Sequence, residues 1–157
     1  MRVGFGFDSH RIVDGRPLVL CGVQLQSRRG LEGWSDADVA IHALIDALCG
    51  AAAIGDIGTL FPPGEAEHQG SSSIDMLGAV VEKLAAVGAS VNNVDVTVVI
   101  EEPRLAPHVP AMRELLASTL RVPVAAVSVK AKTNECMGFV GRGEGAAAFA
   151  VATVRDA

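Results

Sequence analysis

Hydrophobic and polar positions alternate through Met1–Ile12, where Val3, Phe5 and Phe7 interleave with Arg2, Gly4, Gly6 and Asp8; this period of two predicts a strand. Asp8 and His10, two residues apart, project from one side of it. Asp14-Gly15 is a tight-turn signal and predicts a return strand over Arg16–Val23. Beyond a loop containing Gly30 and Gly33 the period lengthens. In Ser35–Asp46, S-D-A-D-V-A-I-H-A-L-I-D, a helical turn of about 100° per residue puts Asp38, His42, Asp46 and Cys49 on one narrow arc. Ile41, Leu44, Ile45, Leu48 and Ala52 share a neighbouring arc. Ser35 followed by Asp38 predicts a capping box, and the helix should run to about Ala53 and stop near Gly55. A helix that only buried one face would have no reason to line up Asp, His and Asp beside its apolar stripe.

The segment from Gly55-Asp56-Ile57-Gly58 through Phe61-Pro62-Pro63-Gly64 to Gln69-Gly70 is too broken for regular structure, and its length suits a lid over a site. Ser72 with Asp75 predicts another cap, and Ile74, Leu77, Val81 and Leu84 a helix ending at Gly88. Val94, Val96, Val98 and Ile100 alternate as a strand that Glu101-Glu102-Pro103 ends. Pro110 suits a helix first turn, and Met112, Leu115, Leu116 and Thr119 supply that helix's face. Val127, Val129 and Ala131 form a strand, followed by a Gly-rich turn and a last strand over Gly145–Val154. The order predicts an α/β (α+β) fold, a mixed β-sheet with helices packed on one face.

Composition narrows the class. The 157 residues suit one domain, 1–157, and half are apolar, with a mean hydropathy of +0.37. Such apolarity without a run of about 20 apolar residues suggests surface buried between subunits rather than a membrane span. The N-terminus has no signal-peptide pattern, and Cys21, Cys49 and Cys136 are odd in number and dispersed, so free thiols in the cytoplasm are expected. A net charge of −5 argues against a broad nucleic-acid surface but leaves room for a local cationic pocket.

Asp8, His10 and His42 are one candidate constellation: two imidazoles and a carboxylate leave a tetrahedral zinc with one open position. Ordinary hydrogen-bonded histidines at a sheet edge are the plain alternative. Asp46, one turn from His42, suits either an imidazole-orienting acceptor or a solvated charge. The second constellation is Lys130–Glu135 with Gly138-Phe139-Val140-Gly141-Arg142-Gly143-Glu144-Gly145; cations, a hydroxyl, an acid and open backbone amides suit phosphate with a hard metal, or a decorated turn. Gly55-Asp56-Ile57-Gly58 reads as a helix stop, or as a place where Asp56 grasps substrate hydroxyls.

Arg2–His10 (R-V-G-F-G-F-D-S-H), Ser35–Ala43 (S-D-A-D-V-A-I-H-A), Gly55–Gly58 (G-D-I-G) and Gly138–Gly145 (G-F-V-G-R-G-E-G) together resemble the 2-C-methyl-D-erythritol 2,4-cyclodiphosphate synthase family across the whole chain. The resemblance implies a homotrimer with sheets around the threefold axis, helices outside and active sites between neighbouring subunits. It implies a metal-dependent intramolecular phosphoryl transfer in non-mevalonate isoprenoid biosynthesis. There the 2-phosphate of 4-diphosphocytidyl-2-C-methyl-D-erythritol 2-phosphate attacks the β-phosphorus, releases CMP and closes the cyclic diphosphate. It places Zn²⁺ on Asp8, His10 and His42, and Mg²⁺ or Mn²⁺ on the diphosphate with help from Glu135. Ser35 and Asp56 would bind the methylerythritol and its 2-phosphate, and Asp8, Ser9, His10, Trp34, Ile57, Gly58, Phe61, Glu65, Glu135, Phe139 and Arg142 would also bind substrate. Ile100, Pro103, Arg104, Leu105, Ala106, Lys132, Thr133 and Asn134 would frame the cytidine diphosphate, with Thr133, Lys132 and the Trp34 position closest to catalysis. Phe7, Phe139, Arg142 and Glu144 would line a central channel accepting an isoprenoid diphosphate.

The chain departs from the family pattern at Trp34, where members usually carry His, and at Phe61-Pro62-Pro63-Gly64-Glu65, where they usually carry F-P-D-x-D. Activity with altered loop closure is the expectation. Two other readings compete: a mononuclear iron enzyme on the same triad, against which three helix patterns stand, and a non-catalytic zinc-stabilised trimer that binds nucleotide or isoprenoid diphosphates.

Overall fold

In the computed structural model, which describes residues 1–64 and 69–156, the first strand is 13 residues long. Strand β1 spans Arg2–Asp14 and pairs antiparallel with β7 (Gly145–Asp156), Arg2 opposite Val154 and Arg11 opposite Gly145. β7 in turn pairs antiparallel with β5 (Ala89–Val99), interrupted by a bulge between Val91 and Asn93, and β5 pairs parallel with β6 (Val127–Lys132). With β4 (Arg29–Leu31) on the outside, the mixed sheet has the order β4-β1-β7-β5-β6.

The expected return strand over Arg16–Val23 does not form. Leu18–Leu20 (β2) instead turns at Cys21-Gly22, both with positive φ, into β3 (Val23–Leu25), and this small ribbon stands apart from the sheet. The partner of β1 beyond the Asp14-Gly15 turn is β4, with Ile12 opposite Leu31.

Helices α1 (Val39–Ala52), α3 (Ser73–Ala86) and α4 (Val109–Leu120) pack on one face of the sheet, with the single turns α2 (Ile57–Leu60) and α5 (Gly138–Gly141) at its edge. The Gly-rich turn expected before β7 thus contains α5. Strand alternation assigns the faces: Gly4 and Gly6 of β1, Ala146, Ala148, Ala150 and Ala152 of β7, and Val94, Val96 and Val98 of β5 lie beneath the helices. Contact with α1 is so close that a Cβ on Gly4 would lie 1.9 Å from the Ala47 carbonyl oxygen, and one on Gly6 1.9 Å from that of Ala43. Only glycine permits this approach.

Val3, Phe5, Phe7, Phe149 and Val151 consequently point the other way and are exposed. Phe149 sits between two of them, with ring centres 5.1 Å from Phe7 and 6.4 Å from Phe5. Phe5, Phe7 and Phe149 thus form a contiguous aromatic patch on the open face of the sheet.

The helix over the glycines starts later than expected. Ala37 has φ 59°, a left-handed conformation that blocks helix propagation, so Asp38 and not Ser35 is the N-cap. Its Oδ1 accepts the Ala40 and Ile41 N–H groups, while the Cys21 and Gly22 N–H groups of the β2–β3 turn bind the same carboxylate at 3.0 and 2.6 Å. Asp38 is fully buried, and burial pushes its pKa up to about 6, against the pull of these amides. Ser72 is the N-cap residue of α3, but its side chain makes no capping bond. Nearly all of α1 is buried, including His42 and Cys49, so the polar arc faces the protein rather than solvent. Among the described residues no helix is long and apolar enough to cross a membrane.

Candidate metal centre and its cleft

The glycine side of β1 continues into Asp8 and His10, and α1 presents His42 directly before Ala43, the residue whose backbone packs on Gly6. The close helix–strand contact therefore delivers three side chains to one point. Asp8 Oδ2 lies 2.9 Å from His10 Nε2 and 3.0 Å from His42 Nδ1, and the two imidazole nitrogens are 3.1 Å apart. These are the atoms of a cluster able to hold a metal ion.

Hydrogen bonds behind the rings say which nitrogens carry protons. His10 Nδ1 lies 2.6 Å from the Glu32 carbonyl oxygen, which can only accept, so Nδ1 bears the hydrogen and Nε2 offers its lone pair. His42 Nε2 lies 3.0 Å from Ser73 Oγ and 3.2 Å from Ser35 Oγ. The Ser73 hydroxyl donates its only proton to Asp36 Oδ1, so Ser73 accepts from Nε2–H and leaves the His42 Nδ1 lone pair facing the cluster. Two imidazole lone pairs and a carboxylate oxygen within 3.1 Å of one another repel unless a cation stands between them. Burial alone would raise the Asp8 carboxyl, but the hydrogen bonds and charges of His10 and His42 outweigh it and hold Asp8 well below the usual carboxylate range. Burial likewise depresses His10, and Asp8 together with the Glu32 carbonyl reverses this, raising it above its ordinary value.

The cluster opens into a cleft of about 280 Å³ whose walls include Trp34, Ser35, Ile57, Gly58, Phe61 and Met76. Trp34 is 43% exposed at its mouth, and Arg16 anchors the backbone on both sides, donating to the Gly33 and Ser35 carbonyls at 3.0 and 2.7 Å. Asp56 caps α2 by accepting from both the N–H and the hydroxyl of Thr59, bonds that lower its pKa, and is exposed to solvent. Asp46 does not orient His42: its Oδ1 accepts the Ile57 N–H at 2.8 Å, tying α2 to α1. Glu65 lies outside the described residues.

The other sequence-derived candidates lie elsewhere in the chain. Ser9 points to the opposite face of β1 from Asp8 and borders a hollow with Phe139 and Glu144. Ile100, Pro103 and Arg104 line a larger cleft of about 720 Å³ with Arg142, Ile100 from a largely buried position, whereas the Leu105 side chain is in the core and Ala106 opens a 3-10 turn. Lys132 ends β6, and after it the Thr133 hydroxyl donates to Glu135 at 2.7 Å while the Asn134 N–H donates to Glu101. Glu135 and Cys136 both have positive φ, a tight turn that lifts Glu135 off the sheet end. Arg142 pairs with Glu144, each partner reinforcing the other's charge. Register puts His10 and Lys132 at the same end of the sheet, but β7 and β5 intervene, a span of about 14 Å at three strand spacings. Lys132 also lies on the open face, the opposite side from His10.

The model of the YgbB family matches residues 1–155. The chain belongs to the YgbB family. Its YgbB relatives include the 2-C-methyl-D-erythritol 2,4-cyclodiphosphate synthase of Symbiobacterium thermophilum, 58% identical over 154 residues and 98% of both chains. That of Salinibacter ruber is 53% identical over 157 residues, the whole of both chains. A solved 2C-methyl-D-erythritol-2,4-cyclodiphosphate synthase in a CDP-bound form superposes with a TM-score of 0.90 at 35% identity, covering 98% of this chain and 100% of that one. The bifunctional IspDF from Campylobacter jejuni gives 0.95 at 36% identity, covering 99% of this chain and 42% of that longer one. The expected family and the α+β mixed-sheet fold are both borne out.

Within this YgbB chain the residues behind the histidines escaped the sequence reading. Ser73 lies in a run of serines from which Ser72 is the expected cap, Asp36 stands in the stretch ahead of α1, and Glu32 acts through its backbone. No local pattern marks them, because each reaches the cluster from a different part of the chain.

Proposed function

We propose that this chain, as a single domain of residues 1–157, converts 4-diphosphocytidyl-2-C-methyl-D-erythritol 2-phosphate to 2-C-methyl-D-erythritol 2,4-cyclodiphosphate and CMP. The observation that carries this reading is the convergence of Asp8, His10 and His42 in an open cleft, in a chain whose full-length relatives at 53–58% identity are such synthases. Tetrahedral zinc with ligands at about 2.0–2.1 Å separates its donor atoms by about 3.3 Å, and the 2.9–3.1 Å spacings support that fit.

Nucleophile and leaving group are both phosphates, so the chemistry needs in-line placement and neutralised charge rather than a protein nucleophile. Zinc on the triad supplies Lewis acidity and a template for phosphate oxygens, and Mg²⁺ or Mn²⁺ near Glu135 does the same for the diphosphate. The chain's own groups do the positioning. The Ser35 hydroxyl accepts the Ala37 N–H and shares the His42 Nε2–H with Ser73, so it keeps its own proton for a phosphate oxygen in the cleft. The open carboxylate of Asp56 receives the methylerythritol hydroxyls, with Ile57, Gly58 and Phe61 as the wall. Trp34 covers the phosphate end sterically, without the charge of a histidine. Lys132 and Thr133 hold the cytidine diphosphate, framed by Ile100–Ala106.

Because Lys132 lies about 14 Å from the triad and on the other face, one chain does not unite the two halves. A homotrimer packed through the open face of Phe5, Phe7 and Phe149 brings them together between neighbours and forms a central channel at Phe139, Arg142 and Glu144. The buried thiols of Cys21 and Cys49 suit a reducing cytoplasm. The test is CMP release from the authentic substrate by protein loaded with Zn²⁺ and supplied with Mg²⁺. Zinc binding without CMP release identifies instead a non-catalytic trimer and refutes the proposal.

A further inference from the structure

Two serine oxygens approach one imidazole nitrogen, His42 Nε2, and neither serine is on the helix that carries His42. Ser73 is completely buried at the first turn of α3, 31 residues away in sequence. Its hydroxyl and its backbone N–H both bind the Asp36 carboxylate, the hydroxyl to Oδ1 and the N–H to Oδ2 at 2.9 Å. Asp36 in turn is fixed by its own backbone: its N–H donates to the Ser71 carbonyl at 3.0 Å, and the neighbouring Gly70 N–H donates to Trp34 O at 2.9 Å. The 34–36 and 70–73 segments are thereby stitched together beside the Nε2 edge of His42.

A neutral imidazole can carry its proton on either nitrogen, and a free serine hydroxyl can donate as readily as accept. Ser73 by itself would therefore not choose the His42 tautomer. With its proton committed to a carboxylate, the Ser73 oxygen can only accept, and Nε2 must be the protonated nitrogen. We infer that Asp36 and Ser73 are positioning residues: Asp36 orients the Ser73 hydroxyl, which holds His42 with its Nδ1 lone pair aimed at the Asp8–His10 pair. His10 achieves the same end through the Glu32 carbonyl, an acceptor that needs no orienting group. A carboxylate-to-hydroxyl-to-imidazole chain also makes Nδ1 a more basic donor by stabilising the positive charge a bound cation induces on the ring. This inference rests on the triad holding zinc.

The experiment measures zinc affinity of the full-length protein by competition with a chromophoric chelator, for wild type, Ser73→Ala, Asp36→Asn and the double variant. Loss of an imidazole's outer hydrogen-bond partner weakens metal binding about 10- to 100-fold, and Ser73→Ala should fall in that range. Asp36→Asn should lose affinity too, and the double variant should bind no more weakly than Ser73→Ala, since Asp36 acts through Ser73. A second readout is nitrogen-15 NMR of the zinc-loaded protein: the His42 Nε2–H should exchange faster with solvent in both single variants while the His10 Nδ1–H is unchanged. Wild-type affinity in both single variants, additive losses in the double variant, or equal disturbance of His10 would overturn the inference. A wild-type protein that binds no zinc would overturn the metal reading itself, an outcome distinct from any of these.

Discussion

Replacing Gly6 with alanine tests the contact on which the metal centre depends. The added Cβ would stand 1.9 Å from the Ala43 carbonyl oxygen, 2.8 Å from the Ala47 nitrogen and 2.9 Å from the Ala43 carbonyl carbon, all backbone. No rotamer relieves a clash with backbone, so α1 must lift by about 1 Å to restore a contact of about 3 Å. Overpacking of this kind costs about 1–3 kcal/mol, and at about 2–4 °C per kcal/mol for a chain of this size the melting temperature should fall by roughly 2–12 °C. Function should suffer more than stability. His42 adjoins Ala43 on the lifted helix, and its Nδ1 sits 3.0 Å from Asp8 Oδ2, so a shift of about 1 Å takes it out of the shared coordination position. Calorimetry and chelator competition on Gly6→Ala should show both losses together. Gly50→Ala is the control: it lies on the same helix, a Cβ there meets nothing within 4 Å, and the helix should gain about 0.5–1 kcal/mol. A Gly6→Ala protein with wild-type melting and zinc affinity would refute the claim that glycine spacing sets the triad.

Other consequences are as direct. Asp38→Ala strands the N–H groups of Cys21, Gly22, Ala40 and Ile41, and urea unfolding should report a loss of roughly 2–5 kcal/mol, combining a lost helix cap with buried unpaired donors. Asp38 also has a pH signature. Its folded pKa of about 6 exceeds the unfolded 3.8, so its linkage favours the fold below the lower value and is lost as pH rises through about 6. Wild-type stability relative to Asp38→Asn should therefore decline from pH 4 to pH 7, by an amount on the order of 3 kcal/mol; a flat difference would contradict the assignment. Stripping the metal with a chelator should lower the melting temperature, and zinc at about a hundred times its Kd should restore about 2.7 kcal/mol. Phe149→Asp puts a charge at the centre of the Phe5–Phe7–Phe149 patch and should turn the proposed trimer into monomers in analytical ultracentrifugation; a surviving trimer would place the interface elsewhere.

Much of this protein could be read from its residues in order. The period of two over Met1–Ile12 and the period near 3.6 after Ser35 identified β1 and α1, because strand and helix repeat distances are local properties of the backbone. Spacing also put Asp8 and His10 on one side of a strand and His42 on a polar arc. What alternation could not decide was which side of β1 faced the core. Val3, Phe5 and Phe7 are the apolar set and the usual choice for burial, yet the glycine side lies beneath α1 and the aromatic side is open. That choice belongs to the tertiary structure, because it turns on how closely a helix backbone can approach a strand backbone. The local signals at Asp14-Gly15 and at Ser35–Asp38 failed for a related reason: a remote strand, β4, competed for β1, and Asp38 was needed to bind the Cys21-Gly22 turn as well as the helix. The supports of His42, Ser35 and Ser73 with Asp36 behind them, come from segments far apart in the chain, and only folding brings their hydroxyls and carboxylate to one imidazole nitrogen.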